Sequence, residues 1–188
     1  VSMDYQHAAL DLIQPGHRMI LLTMHRRENQ GAPMEAVFVA IKRVVAQHPD
    51  VEVVYPVHLS PAVQTVAKRI LGHTDRIHLI DPLDVLDFHN MAARSYFIMT
   101  DSGGVQEEAP SLNKPVLVLR DTTERPEGVT AGTLRLVGTD GQQVAAAMTS
   151  LLDDSAAYQR MADAKNPYGD GHAAEYILQA IMKKIGTH

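Results

Sequence analysis

The residues best suited to chemistry follow short apolar runs that the sequence predicts to be β-strands. They are His25–Glu28 after the first run, His58 after the second, Asp81 after the third, Asp101–Gly104 after the fourth and Arg120–Glu127 after the fifth. Parallel strands end at one edge of their sheet, and ligands of such sheets bind beyond that edge. The pattern therefore predicts a single site built from several strand ends.

The strongest local signal is the segment Thr100–Glu108, where a strand end, two adjacent glycines and a predicted short helix follow one another. The first amides of a helix are unpaired and lie at the positive end of its dipole, which suits a phosphate. Glu108, one turn further on, could accept hydrogen bonds from both hydroxyls of a ribose. Two interpretations remain open, because short glycine motifs also form plain turns, here with Ser102 as an ordinary N-cap.

Other candidates each have a functional and a structural interpretation. An imidazole such as His25 can exchange a proton near neutral pH, and the planar guanidinium of Arg26 suits phosphate. A histidine at a strand end, such as His58, is more often structural. Phe88 is by default a core residue, although its ring could offer a flat face to a base. The Arg120–Glu127 segment is either a charged surface loop or part of the site.

The elements that must position these residues alternate between strands and helices. The predicted strands are Met19–Met24, Val51–Val57, Ile77–Ile80, Tyr96–Thr100, Val116–Leu119 and Leu134–Val137. The predicted helices between them are Met34–Gln47, Pro61–Leu71, Val85–Ala93, Gly104–Ala109 and Gln142–Leu152. Strands with continuous rather than alternating apolar residues are typical of parallel sheets that are buried on both faces. The rhythm predicts an α/β fold with a doubly wound, mostly parallel, Rossmann-like sheet.

The domain organisation follows from length and punctuation. A chain of 188 residues can form one domain with a real core, and we expect a single α/β domain over residues 1–188. Asp84 and Asp140 precede apolar-periodic stretches and are predicted to cap them. The tail, residues 166–188, is dense in turn formers over Asn166–Gly171 and then predicts a final helix over Ala173–Ile185. The turn is a plain loop or a hinge.

Composition excludes several function classes. A net charge of −5 argues against non-specific nucleic-acid binding, and the absence of cysteine excludes disulfides and thiolate ligands. No apolar run approaches the ~18 residues of a membrane span, and the N-terminus lacks the pattern of a secretory signal. The ten histidines are scattered and form no HExxH motif. We expect a cytoplasmic protein with no metal and no cofactor.

Together these motifs resemble a known family. His25–Asn29, Tyr55–His58, Thr100–Pro110, Arg120–Gly128 and Asn166–Gly171 are similar, in this order, to the C-terminal half of the bacterial non-hydrolysing UDP-N-acetylglucosamine 2-epimerases. The resemblance implies the C-terminal domain of a B-type glycosyltransferase fold, with the active site in the cleft between two domains. The N-terminal domain of the family, which carries the catalytic carboxylates, would be missing here. A homodimer is also possible by this resemblance.

The resemblance further implies that UDP is held mainly by this half of the enzyme. The implied contacts are Ser102, Gly103 and Gly104 for the diphosphate, Glu108 for the ribose, Phe88 near the uracil and Arg125 beside the phosphates. His25 would be the catalytic-side histidine near the leaving UDP. His58 and Arg26 would contact the nucleotide or a second, regulatory substrate molecule. The family reaction eliminates UDP from a UDP-N-acetylhexosamine to give a glycal and then adds UDP back after the C2 face has changed.

Two positions depart from the family pattern. Met24 stands where glycine is usual, and its side chain is expected to crowd the ligand. Asn113 also replaces a usual glycine, but asparagine tolerates positive φ.

Two alternatives remain beside the epimerase interpretation. One is the donor-binding domain of a UDP-sugar glycosyltransferase, which would share the sheet and the glycine turn. The other is a catalytically inactive nucleotide-sugar-binding module. The His25–Glu28 and Thr122–Glu127 segments favour the epimerase over the glycosyltransferase.

Overall fold

The structure, a computed structural model, describes residues 11–185. Its strands are β1 (Arg18–Thr23), β2 (Val51–Pro56), β3 (Ile77–Ile80), β4 (Phe97–Thr100), β5 (Val116–Val118) and β6 (Leu134–Leu136). Its α-helices are α1 (Ala32–Gln47), α2 (Pro61–Leu71), α3 (Val85–Arg94), α4 (Gly103–Glu108), α5 (Pro126–Ala131), α6 (Gly141–Asp153), α7 (Ser155–Ala162) and α8 (Ala173–Ile185). Short 3₁₀ helices span Arg27–Asn29 and Ala109–Leu112. Every predicted strand is present, with bounds that move by at most one residue.

The six strands form one sheet in the order β3-β2-β1-β4-β5-β6, and every neighbouring pair is parallel. The predicted doubly wound sheet is confirmed, and it is parallel throughout this part of the chain. The chain winds outward from β1 in one direction to β3 and in the other from β4 to β6. The order therefore reverses between β1 and β4, and a crevice opens beyond their carboxyl ends, where such folds bind ligands.

Helices cover both faces of the sheet, and each face has its own core. Along β1, Ile20 and Leu22 belong to the larger cluster, which packs under α1, α2 and α6. Met19 and Leu21 belong to the smaller cluster, which packs under α3 and α4. This alternation reflects the two-residue period of a strand, which sends successive side chains to opposite faces.

The helix starts follow local side-chain chemistry. Asp84 accepts a hydrogen bond from the Asp87 amide, and Asp140 accepts one from each of two amides at the start of α6, which confirms both predicted caps. The helix α7 was not predicted from the sequence. Asp154 caps it by accepting bonds from two amides, although Ala162 is its only buried residue, so its apolar pattern is weak.

The final helix lies where the sequence predicted it, over Ala173–Ile185. None of its residues is buried, and it exposes several large apolar side chains, among them Ile177, Leu178 and Met182. No helix within residues 11–185 is long and apolar enough to cross a membrane.

Candidate functional site

A cavity of about 400 Å³ lies beyond the carboxyl ends of β1, β2 and β4. Four predicted site residues line it, namely His25, His58, Phe88 and Ser102. Much of the remaining lining is apolar and includes Leu83. Residues that follow β1, β2, β3 and β4 thus meet at one place with Phe88 of α3, whereas no residue of the predicted Arg120–Glu127 segment lines this cavity.

Two histidines face each other in this cavity. The rings of His25 and His58 stack with their centroids 5.2 Å apart and their planes 11° from parallel. The Ser60 amide donates to Nδ1 of His58 over 3.0 Å, so this nitrogen is an acceptor. In its neutral form His58 therefore carries its proton on Nε2.

The loop after β1 is held by a carboxylate that is completely buried. Asp101 accepts hydrogen bonds from the His25 amide at 3.0 Å, the Arg26 amide at 2.8 Å and Nδ2 of Asn29 at 3.0 Å. Nδ1 of His25 lies 3.8 Å from the same carboxylate. Asp101 was among the predicted strand-end residues, but its support of the loop after β1 was not predicted.

The glycine turn begins α4. Ser102 occupies the N-cap position, but its side chain makes no capping bond, so the ordinary N-cap interpretation does not explain it. A Cβ on Gly103 would lie 3.8 Å from Nη2 of Arg26, and one on Gly104 would lie 3.9 Å from Oε1 of Glu108. Both distances are ordinary contacts, and neither glycine has positive φ. The fold itself does not require glycine here, so the open space beside the turn is available to a ligand.

Charged groups surround this space. The Arg26 guanidinium lies beside Gly103, 3.6 Å from the Glu28 carboxylate and 4.0 Å from that of Glu124. Glu108 is half-exposed at the other side of the turn. Arg26 and Glu108 thus flank the turn with one cation and one carboxylate.

A chain of hydrogen bonds connects the turn to Arg125. Nε2 of the fully buried Gln106 donates to the Ser102 carbonyl at 3.1 Å, and the Thr123 hydroxyl donates to Oε1 of Gln106 at 2.5 Å. The Arg125 amide donates to the Thr123 hydroxyl at 3.0 Å, and its Nε donates to Glu107 on α4. Gln106 and Thr123 therefore fix the Arg125 loop relative to the turn. Neither residue was predicted from the sequence, because their partnership depends on the tertiary fold.

Arg120 and Glu124 form a bidentate pair beside the site, with N–O distances of 2.7 and 2.9 Å. This hydrogen bonding lowers the pKa of Glu124 from 4.5 to about 2. The nearby Arg26 guanidinium adds to the effect.

The Arg120–Glu124 pair predicts a pH dependence of stability. The pKa of Glu124 is lower in the folded state than in the unfolded state. The contribution of Glu124 to the free energy of unfolding is therefore complete above about pH 4.5 and is lost as the pH falls through about 2. We expect the urea midpoint of the native chain to fall more steeply over this range than that of Glu124→Gln. Parallel curves for the two proteins would contradict the prediction.

The structure corrects the expectation for Met24. Its side chain is fully buried in the core cluster that contains Phe38 and Tyr55, and it does not line the cavity. Its carbonyl accepts a hydrogen bond from the Tyr55 hydroxyl at 2.5 Å. Met24 therefore does not crowd the space beside the turn. Asn113 adopts the left-handed conformation with φ 54°, as its replacement of a glycine predicted.

No group of three or more His, Asp or Glu side chains between residues 11 and 185 is arranged to hold a metal ion. The candidate site is thus a cavity with an amide-rich turn and charged side chains at its rim.

Comparison with known proteins shows which family this chain is similar to. The family model for UDP-N-acetylglucosamine 2-epimerase matches residues 2–182. The chain is 58% identical to the UDP-N-acetylglucosamine 2-epimerase of Bacillus subtilis strain 168 over 186 residues, which are 99% of this chain and 49% of that protein. The chain spans about half the length of the curated relatives it matches.

Solved structures agree with this placement. The Staphylococcus aureus MnaA–UDP co-structure superposes with a TM-score of 0.90 and 54% identity, covering 97% of this chain and 50% of that one. The C-terminal domain of a group 1 glycosyl transferase, LpcC from Francisella tularensis, superposes with a TM-score of 0.63 at 19% identity, covering 89% of this chain and 90% of that one. The second likeness concerns the fold alone, and it confirms the expected fold of a B-type glycosyltransferase C-terminal domain.

Proposed function

Because the chain belongs to the UDP-N-acetylglucosamine 2-epimerase family, we propose that it is the UDP-binding half of such an enzyme. The complete enzyme would interconvert UDP-N-acetylglucosamine and UDP-N-acetylmannosamine by eliminating UDP and adding it back. We propose that residues 1–188 form one domain, with the tail 166–188 as a hinge turn and a helix. The cytoplasmic location and the homodimer stay predictions.

The proposal rests mainly on Gly103 and Gly104, because neither backbone conformation nor packing requires glycine at these two positions. Their missing side chains leave space between Arg26 and Glu108, directly over the first amides of α4. Unpaired amides at a helix start, together with guanidinium groups, are donors that bind a diphosphate. The diphosphate would lie on Ser102, Gly103 and Gly104.

The other contacts follow from the places of the remaining residues. Arg125 is tied to α4 through Glu107 and can add charge beside the diphosphate. Glu108 would accept from the ribose hydroxyls, and Phe88 would offer its ring to the uracil from the cavity wall. The Staphylococcus aureus relative was solved with UDP, which supports a nucleoside diphosphate as the ligand.

His25 is the proposed catalytic contact in this half. Its backbone is fixed by Asp101, and its ring lies in the cavity against His58. Negative charge grows on UDP as the bond to C1 breaks, and fixed donors beside it lower the barrier. His58 and Arg26 would be further contacts for the nucleotide or for a second substrate molecule.

The acid and base that act at C2 would come from a second half of the enzyme. The curated relatives are about twice as long as this chain, which supports such a missing N-terminal domain. The glycosyltransferase alternative loses support, because its likeness lies at 19% identity, whereas the curated epimerases of Bacillus subtilis and Escherichia coli are 58% and 53% identical.

Titration calorimetry of the native chain tests the proposed site. We expect UDP to bind in preference to ADP, because the Staphylococcus aureus relative was solved with UDP. Glu108→Ala is expected to lose the charge-assisted ribose bonds, about 1.5–3 kcal/mol or roughly 10- to 150-fold in UDP affinity. Glu175→Ala, on the exposed helix α8, is the matched control and should bind like the native chain. Equal binding of ADP and UDP, or no UDP binding, would contradict the assignment.

A further inference from the structure

Helix α3 carries His89, which contacts the carboxylate proposed to bind the ribose. Nε2 of His89 lies 3.1 Å from Oε2 of Glu108, so the histidine joins α3 to the end of α4. The His89 side chain is 34% exposed and that of Glu108 is 52% exposed, which places the pair at the rim of the site. Between them they connect two helices that are separate in sequence.

His89 directly follows Phe88, and this adjacency matters. Successive residues of an α-helix point about 100° apart, because 3.6 residues make one turn. Phe88 lines the cavity, whereas His89 meets the carboxylate at its rim, and the two ring centroids are 6.3 Å apart. The position of α3 therefore fixes both the Phe88 ring in the cavity wall and, through His89, the Glu108 carboxylate.

The contact leaves most of the carboxylate free. An ionised carboxylate has two oxygens with about four acceptor positions, and His89 occupies one of them on Oε2. Oε1 of Glu108 lies 3.9 Å from where a Cβ of Gly104 would stand, so it faces the glycine turn. Both oxygens can still accept from a pair of neighbouring hydroxyls. A long side chain at the surface would otherwise sample many rotamers, and binding would have to order it.

We propose that His89 is a positioning residue that holds Glu108 in the orientation that receives the two ribose hydroxyls. The inference rests on the proposed function and names a determinant of its nucleoside specificity. With Glu108 held in advance, the site favours a ribonucleoside diphosphate over one that lacks the 2′ and 3′ hydroxyls. His89 itself does not touch the reacting atoms.

Calorimetry on the full 188-residue chain, with UDP and 2′,3′-dideoxy-UDP as probes, tests this role. We expect His89→Ala to weaken UDP binding about 2- to 10-fold, which corresponds to the cost of immobilising one side chain. The same variant should bind 2′,3′-dideoxy-UDP like the native chain. His89→Gln keeps an N–H donor and should recover most of the UDP affinity. The Glu108→Ala, His89→Ala double variant should bind UDP no more weakly than Glu108→Ala.

Each other outcome has a defined meaning. Equal weakening of both probes by His89→Ala would overturn the proposal, because His89 would then act by packing against Phe88. Native UDP affinity in His89→Ala, with affinity lost in Glu108→Ala, would overturn the role of His89 and leave the proposed function standing. If the native chain bound no UDP, the proposed function itself would fail and His89 would lose its role with it. Thermal unfolding of each variant identifies any loss of fold.

Discussion

The 188-residue chain, incubated with UDP-N-acetylglucosamine in deuterated water, is expected to leave the C2 proton unexchanged. Removing that proton needs a base placed at the sugar, and no carboxylate lines the cavity formed by residues 11–185. Of the acids near the cavity, Glu124 pairs with Arg120, Glu107 pairs with Arg125, and Glu108 is assigned to the ribose. Loss of general acid–base catalysis alone lowers a rate by roughly 10²–10⁴-fold.

Proton NMR at C2 measures this exchange directly. The full-length UDP-N-acetylglucosamine 2-epimerase of Bacillus subtilis, assayed in parallel, is the positive control. Deuterium incorporation by this chain at a comparable rate would overturn its assignment as half an enzyme. The base would then have to be found among the residues present. His58 would be the first to replace, because it lies in the cavity, whereas Glu124 is held by Arg120.

Replacing Asp101 by alanine is expected to lower the free energy of unfolding more than replacing Asp140 does. The change leaves the His25 and Arg26 amides without their buried acceptor, whereas Nδ2 of Asn29 keeps its bond to the Leu119 carbonyl. An unsatisfied buried donor costs about 1–3 kcal/mol, so the two amides should lower the free energy of unfolding by roughly 2 kcal/mol or more. Asp101→Asn retains one acceptor oxygen and should lose less.

Urea unfolding of both Asp101 variants measures the loss, and UDP titration measures its effect on the site. The matched control is Asp140→Ala, which removes an exposed cap and should cost only about 1 kcal/mol. Because Asp101 fixes the loop that carries His25 and Arg26, the asparagine variant should also bind UDP more weakly. If Asp101→Ala cost no more than Asp140→Ala, the loop would hold its shape without the carboxylate.

Much of this structure could be predicted from local sequence. The central strands β1, β2, β4 and β5 were recognisable because their apolar runs become buried on both faces, whereas the edge strands β3 and β6 are only partly buried. The cavity lined by His25, His58 and Ser102 was predictable because parallel topology brings strand ends to one edge of the sheet. These are consequences of periodicity and connectivity, which a sequence contains.

The remaining contacts depend on which side chains meet after folding. Nothing local to Gln106 or His89 indicates that one will bind Thr123 and the other Glu108, because each partner lies on a different segment. The expectation for Met24 was wrong for a reason that the sequence did contain. Ile20 and Leu22 alternate along β1, and Met24 continues this alternation directly after the strand, so all three lie in the same core cluster.

The reversal of strand order between β1 and β4 has a consequence for how the chain is made. β1, β2 and β3 are consecutive in the chain and can pair as they leave the ribosome. The other edge of β1 stays unpaired until β4 is synthesised, because Ile20 of β1 pairs with Phe97 of β4. At about 5–20 residues per second, that edge stays open for several seconds. An unpaired edge of an apolar strand invites pairing with other chains. Pairing of β4 closes this edge and brings Asp101 to the loop after β1, so the strand edge is covered in the same step that fixes the backbone of His25 and Arg26.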